Sequence, residues 1–252
     1  MHPIIFTIGK VTIFSYGLFV ALAFFTAITY LSNQIKKSKE KILSQDELYS
    51  LCIYIIVSGI IGARLLFVLS NPQDFVLDPM SVFKLWEGGL TYYGGFISAT
   101  VFVLAYVRIK KISILELGDF FAPALALGQA IGRIGCFLAG CCYGRETNVA
   151  WSVVFRDKNS LAVIGVYLHP TQLYEVFGNF LIFIFLHFYS KKNPKKGQIT
   201  ATYFISYAIL RFSVEFFRGD STRGSQYFGL SISQVISICL FIIGVSIVCK
   251  KK

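Results

Sequence analysis

Charge is scarce in this chain of 252 residues: only 15% of positions carry it, and acidic residues, 13 against 24 lysines and arginines, are the scarcer sign. With 55% hydrophobic residues and a mean hydropathy of +0.65, that scarcity excludes an ordinary soluble domain and suits a polytopic membrane protein. Several signatures of chemistry are missing too. The sequence has no G-x-S-x-G elbow, no H-E-x-x-H pair and no G-x-x-x-x-G-K-S/T loop, which removes serine hydrolases, zincins and P-loop enzymes. Of the six cysteines, Cys52, Cys239 and Cys249 lie in apolar runs as small buried hydrophobes. The other three, Cys136, Cys141 and Cys142, follow a C-x4-C-C spacing that matches no standard zinc pattern and has no histidine nearby in sequence, so neither a metal nor a cofactor is expected.

What is present is a series of apolar runs. Seven candidate spans, near 13–31, 48–69, 90–108, 118–142, 172–189, 199–217 and 229–249, come close to the roughly 20 residues that cover a hydrocarbon core. The fold class they imply is an all-α integral membrane protein of seven transmembrane helices, forming one polytopic domain over residues 1–252. The fourth span is the least regular, with Asp119, Pro123 and several glycines; such a segment survives at membrane depth only where protein or a wet cavity surrounds it. The first run is too long for a signal-peptide core, and its strongest basic flank, Lys36 to Lys41, follows it, so it is expected to remain as an anchor.

Basic residues set the orientation. Fourteen fall in the loops after the first, third and fifth spans and in the C-terminal tail, seven in the loops between, and three inside spans. The positive-inside rule then places the N-terminus outside and the C-terminus in the cytoplasm. The net charge of +11 is accordingly no sign of nucleic-acid binding, because the surplus faces anionic membrane lipids.

The three intraspan basic residues are Arg64, Arg133 and Arg211. A charge at the bilayer centre costs about 3 kcal/mol, so such residues face the protein interior and mark sites or pathways. Arg133 lies beside a stripe of small residues at every fourth position, Ala124, Gly128, Gly132, Cys136, Gly140 and Gly144, along which a neighbouring backbone can approach. Arg211, Glu215 and Arg218 share one helix face, either as an internal ion-pair ladder or with one arginine kept for an anion. A planar guanidinium suits phosphate, and so a phospholipid. Two glycine pairs, Gly88-Gly89 and Gly94-Gly95, bracket Tyr92 and Tyr93, where a ligand or another helix can come close and where the tyrosines also read as interfacial belt residues. His169-Pro170 opens the fifth span ahead of Gln172-Leu173-Tyr174-Glu175.

Gly132-Arg133-Ile134-Gly135 through Gly140 and Tyr143-Gly144-Arg145 resembles the signature of the prolipoprotein diacylglyceryl transferases. Shorter matches extend the resemblance over nearly the whole chain: His2-Pro3, Ile8-Gly9, Tyr16-Gly17, Gly62-Ala63-Arg64, both glycine pairs, the His169–Glu175 stretch, and Arg211 with Val214 to Arg218. The resemblance implies a multi-pass enzyme of the bacterial inner (cytoplasmic) membrane. Its substrates would be phosphatidylglycerol and prolipoprotein signal peptides bearing a lipobox cysteine, with membrane lipids around it and no nucleic acid. The diacylglyceryl group would pass to the cysteine thiol as a thioether, with release of glycerol phosphate. Arg133, Arg211 and Tyr93 would be catalytic; Arg133, Tyr16, Arg64, Gly94, Gly95, Cys136, Cys141, Gly144, Glu215 and Arg218 would bind substrate. The chain departs from many members in having Tyr93 in place of a histidine, and Cys136 and Cys141 in place of asparagine and glutamate. Either Tyr93 handles the proton or the arginines lower the thiol pKa unaided. The alternatives are a non-catalytic relative and an anion transporter or channel, the latter disfavoured because the arginine–glycine stretch has no second copy.

Overall fold

The structure is a computed structural model describing residues 1–9, 11–37, 42–76, 78–84, 88–219, 226–227 and 229–250. Trp86, Glu87 and Asp220, and Lys10, Lys39, Lys41, Arg223, Lys251 and Lys252 of the orientation count, lie outside the described residues. The chain divides into two units, residues 1–31 with 118–252, and residues 32–117.

The long helices are α1 (Ser15–Lys37), α2 (Gln45–Ser70), α4 (Tyr92–Lys110), α5 (Ile114–Ala139), α6 (Thr171–Ser190), α7 (Gln198–Glu215) and α8 (Ile232–Cys249); α3 (Gln73–Val76) is one turn. The fold is mostly helical, in keeping with the all-α expectation; beside the helices the described residues form three short antiparallel two-stranded sheets, β1–β2 (Ile4–Ile8, Val11–Phe14), β3–β4 (Val153–Val154, Tyr167–Leu168) and β5–β6 (Gln226–Tyr227, Leu230–Ser231). The first of these lies at the start of the chain, ahead of the first expected span near 13–31 except for Ile13 and Phe14. Among the described residues six helices, α1, α2, α4, α5, α6 and α8, are long and apolar enough to cross a membrane. Helix α7 is not among them, because Gln198, Thr200, Thr202, Arg211, Ser213 and Glu215 dilute its apolar content. The protein is a multi-pass membrane protein.

In the unit of residues 32–117, α2 starts at a capping box: the Ser44 hydroxyl accepts from Glu47 N–H (3.1 Å), while Ser44 N–H donates to the Glu47 carboxylate (3.0 Å). Helices α2 and α4 meet through glycines. Gly62 and Gly94 face each other so closely that a Cβ on Gly94 would overlap the Gly62 carbonyl, and Gly95 lies against the Gly59 carbonyl. Ser98 Oγ donates to Ser58 O (2.6 Å) and Thr91 N–H to Ala63 O (3.0 Å), binding the two helices at both ends of the contact.

In the unit of residues 1–31 and 118–252, Ala122 and Ala126 of α5 pack with Leu186 of α6 and Ile199 and Tyr203 of α7. Gly178 receives Leu210, and Gly244 lies against Ala201 and Ile205, so one small residue on each of α6 and α8 admits α7. Asp119, conspicuous in sequence as a carboxylate inside an apolar run, accepts hydrogen bonds from Gly197 N–H, Thr200 N–H (2.7 Å) and Thr200 Oγ1 (2.7 Å). It therefore caps the N-terminus of α7, where orphan N–H groups and the helix dipole favour an anion. Between α5 and α6 a loop core forms around fully buried Phe155 with Ala162 and Leu168.

Candidate functional site

The site begins where α5 ends. Gly140, at φ +82°, closes the helix in a Schellman motif: Cys141 N–H reaches Cys136 O (3.1 Å) and Gly140 N–H reaches Phe137 O (3.3 Å). The chain then turns back past the start of α6, where Gln172 Nε2 donates to Cys141 O (2.7 Å) and Thr171 Oγ1 to Cys142 O (2.8 Å). Gly144 passes between two strands of backbone, its N–H on His169 O (3.0 Å). A Cβ there would lie 2.8 Å from Phe217 O, which is why a glycine stands at this crossing. Arg145 N–H on Phe217 O (2.8 Å) and Gly219 N–H on Tyr143 O (3.2 Å) complete the seam between this loop and the end of α7.

Under the seam lies a lattice of guanidinium and carboxylate groups. Arg133 of α5 engages Glu175 of α6 through Nε at 2.8 Å. Arg211 of α7 reaches the same carboxylate at 3.5 Å and Glu215, one turn on, at 2.8 Å; its Nη2 donates to Ser233 Oγ at the start of α8 (2.8 Å). Arg218 lies 3.7 Å from Glu215. Of the two readings open for this face, an ion-pair ladder runs along it, tied by Glu175 to two further helices. Both carboxylates are buried and Arg211 and Arg218 nearly so; the Arg133 side chain alone retains substantial exposure, 22%. Among the described residues Glu175 is the one carboxylate paired with Arg133. Arg133 is thus held at one edge of its guanidinium and reachable at the other, a geometry suited to an incoming anion.

The small-residue stripe is used only in part. Gly128 lies against Ala23 and Ala27 of α1, but Gly132 has nothing within 4 Å of where a Cβ would stand, and the tight approach to α1 falls at Gly135, against Phe19 and the Tyr16 backbone. Tyr16 itself is about half exposed. The three clustered cysteines come together despite their unpromising spacing, with all Sγ atoms within 4.8 Å of one another. His169, outside the helices, bonds Tyr174 Oη through Nδ1 (3.0 Å) and packs on Phe217; burial, and secondarily the Arg145 guanidinium, hold its pKa below the usual imidazole value.

The remaining expected site residues lie in the unit of residues 32–117, and two sets have found other work. Arg64 donates to four backbone carbonyls, Val82 (2.9 Å), Gly88 (2.7 Å), Gly89 (3.0 Å) and Ser81 (2.5 Å), and lies over the rings of Phe67 and Phe75. It clamps a loop to α2, which differs from the substrate contact expected of it. Gly94 and Gly95 serve the α2–α4 contact described above. Tyr93 is half exposed, edge-on to Tyr92, and its hydroxyl has no hydrogen-bond partner among the described residues. Glu175 is the member of the site that sequence reasoning passed over as part of a helix start. The signal was available, since it is an ionisable residue inside an apolar span just as Arg133 and Arg211 are.

The chain is a multi-pass helical membrane protein whose interior sets guanidinium groups around shared carboxylates, with one arginine left reachable. Comparison with known proteins is more specific. A family model described as prolipoprotein diacylglyceryl transferase matches residues 3–250. Proteins named phosphatidylglycerol–prolipoprotein diacylglyceryl transferase are similar along their whole length: one from Clostridium tetani is 36% identical over 245 residues, covering 97% of this chain and 96% of the relative. One from Finegoldia magna is 36% identical over 255 residues, covering 100% and 96%, and one from Bordetella bronchiseptica is 33% identical over 247 residues, covering 97% and 93%. The chain belongs to the prolipoprotein diacylglyceryl transferase family, and is a transferase of lipoprotein biosynthesis.

Proposed function

We propose that the protein transfers the diacylglyceryl group of phosphatidylglycerol to the lipobox cysteine thiol of a prolipoprotein signal peptide in the bacterial cytoplasmic membrane. The thiol loses its proton, a sulfur–carbon bond forms at the glyceryl carbon, and the carbon–oxygen bond to phosphate breaks with its electron pair leaving on oxygen as glycerol phosphate. Negative charge grows on the phosphate as that bond breaks, so a cation fixed beforehand in a low-dielectric setting stabilises the transition state more than the ground state. The observation that carries the assignment is the half-engaged guanidinium of Arg133, aimed by Glu175. Arg211, enclosed by Glu175, Glu215 and Ser233, sets the field and fixes Glu175; Glu215 and Arg218 hold α7 in register. Cys136 and Tyr16 lie on the Arg133 side of the site and, with Cys141 and Gly144 further along the same loop, would line the substrate's approach. Helix α7 crosses the membrane as a seventh span, admitted by its neighbours rather than by its own hydropathy. The N-terminus is outside and the C-terminus cytoplasmic, and the described polypeptide forms one polytopic membrane domain.

Arg133→Lys tests this. Lysine keeps the charge but loses the planar fork that can grip Glu175 and phosphate together. Transfer from phosphatidylglycerol to a lipobox peptide should collapse while the variant still accumulates in the membrane. Near-normal lipidation would refute the assignment.

A further inference from the structure

We infer that Cys136, Cys141 and Cys142 form a three-sulfur site for a soft, thiophilic metal ion, monovalent copper in particular. The inference stands on the thiol geometry and does not depend on the transferase reading. The three Sγ atoms lie within 4.8 Å of one another, and each residue is partly accessible rather than sealed in the core. A metal–sulfur bond of about 2.3 Å places trigonal sulfur donors about 4 Å apart, so a small contraction of the existing cluster would complete the coordination.

The backbone carrying the sulfurs is already fixed. Cys136 sits in the last turn of α5, and its carbonyl accepts from Cys141 N–H at 3.1 Å. The carbonyls of Cys141 and Cys142 are pinned by Gln172 (2.7 Å) and Thr171 (2.8 Å). Cys142 is held at φ +60°, a conformation a non-glycine residue adopts only when its surroundings impose it. Donor rotamers are thus the only freedom a bound ion would need to quench.

The donor set selects the ion. Among the described residues no histidine or carboxylate joins the three sulfurs in the cluster. Structural zinc closes a tetrahedron of four nitrogen or sulfur ligands, and that fourth ligand is missing from this donor set. Soft thiolates favour copper(I), which is stable with three of them.

The test uses the full-length protein purified in detergent without oxygen and titrated with copper(I) against a chromophoric copper(I) chelator, with X-ray absorption at the copper edge. We expect one ion per chain bound by three sulfurs. Replacing Cys136, Cys141 and Cys142 together by serine should weaken binding at least a hundredfold. Replacing Cys52, Cys239 and Cys249 instead should leave it unchanged. If the first triple variant does not fold, Cys142→Ser alone keeps the test alive, since it should lower the sulfur count at copper from three to two. Copper retained by the first triple variant, copper lost with the second, or zinc displacing stoichiometric copper from the wild-type protein would each overturn the proposal.

Discussion

Single residues in this protein are best understood by what already occupies their polar atoms. Arg64 and Arg133 look alike in sequence, each an arginine in an apolar span within two residues of a glycine. Four carbonyls occupy four of the five N–H groups of Arg64, whereas Arg133 keeps one edge of its guanidinium reachable. Local pattern cannot tell them apart, because the acceptors of Arg64 lie 17 to 25 residues further along the chain. Tyr93 poses the opposite question, a polar group with nothing yet bound. If its hydroxyl takes part in thiol deprotonation, Tyr93→Phe should lower turnover about a hundredfold, within the range of one acid–base group, and Tyr93→His should restore part of it. A silent Tyr93→Phe with an unchanged pH profile would make the ring an interfacial aromatic. His169 has a measurable signature of another kind. Its pKa is lowered in the folded state, so the unfolded chain binds the proton more readily; the stability this contributes is complete above pH 6.5 and is lost as pH falls below it. The Tm in detergent should therefore drop between pH 7.5 and pH 5, and His169→Gln, which can still bond Tyr174, should flatten that slope. An equally steep slope in the variant would assign the effect elsewhere.

Helices here are positioned by where a side chain is missing. The every-fourth-residue stripe of α5 was legible in sequence, but which of its faces meets α1 was not, because that depends on how α1 is rotated, and the contact chose Gly135 over Gly132. The same substitution at two neighbouring sites should consequently have opposite effects. Gly132→Ala adds a methyl to open space and removes backbone freedom from the unfolded chain, so stability should rise by about 0.5–1 kcal/mol. Gly135→Ala places a Cβ 2.8 Å from Phe19 Cβ, which α1 can relieve only by backing away, at a cost of about 1–3 kcal/mol. Thermal unfolding of both variants decides the matter; equal shifts would mean α1 does not pack as described. If Gly132→Ala is stable but slow, the open space beside Arg133 is where substrate lies. Capping tells a similar story. The Ser44–Glu47 box of α2 is readable from four consecutive residues, whereas Asp119 caps a helix that starts 79 residues later, a pairing only the fold can make.

At the scale of the whole molecule, the six helices that are long and apolar enough to cross a membrane among the described residues fall where the sequence places spans, since hydropathy and length are local sums. The first expected span, from residue 13, takes in only the last two residues of the β1–β2 hairpin, Ile13 and Phe14; the rest of the hairpin precedes it. Orientation rests on the loop charges and calls for a direct measurement. A reporter active only outside the membrane should work when fused after Asn159 and fail after Pro194, and the reverse pattern would refute the proposed orientation. The polar bonds of α7 also bear on how the protein is made. Asp119 and Glu175 leave the ribosome before the helix that carries Arg211. On the proposed seven-span reading, a lone arginine would face a penalty of about 3 kcal/mol on entering lipid, yet by the time α7 is synthesised the residues that form its cap and its counter-charge have already been made. The order of residues in the gene is thereby an order of assembly, in which the helix least able to enter the bilayer unaided follows those that make its entry possible.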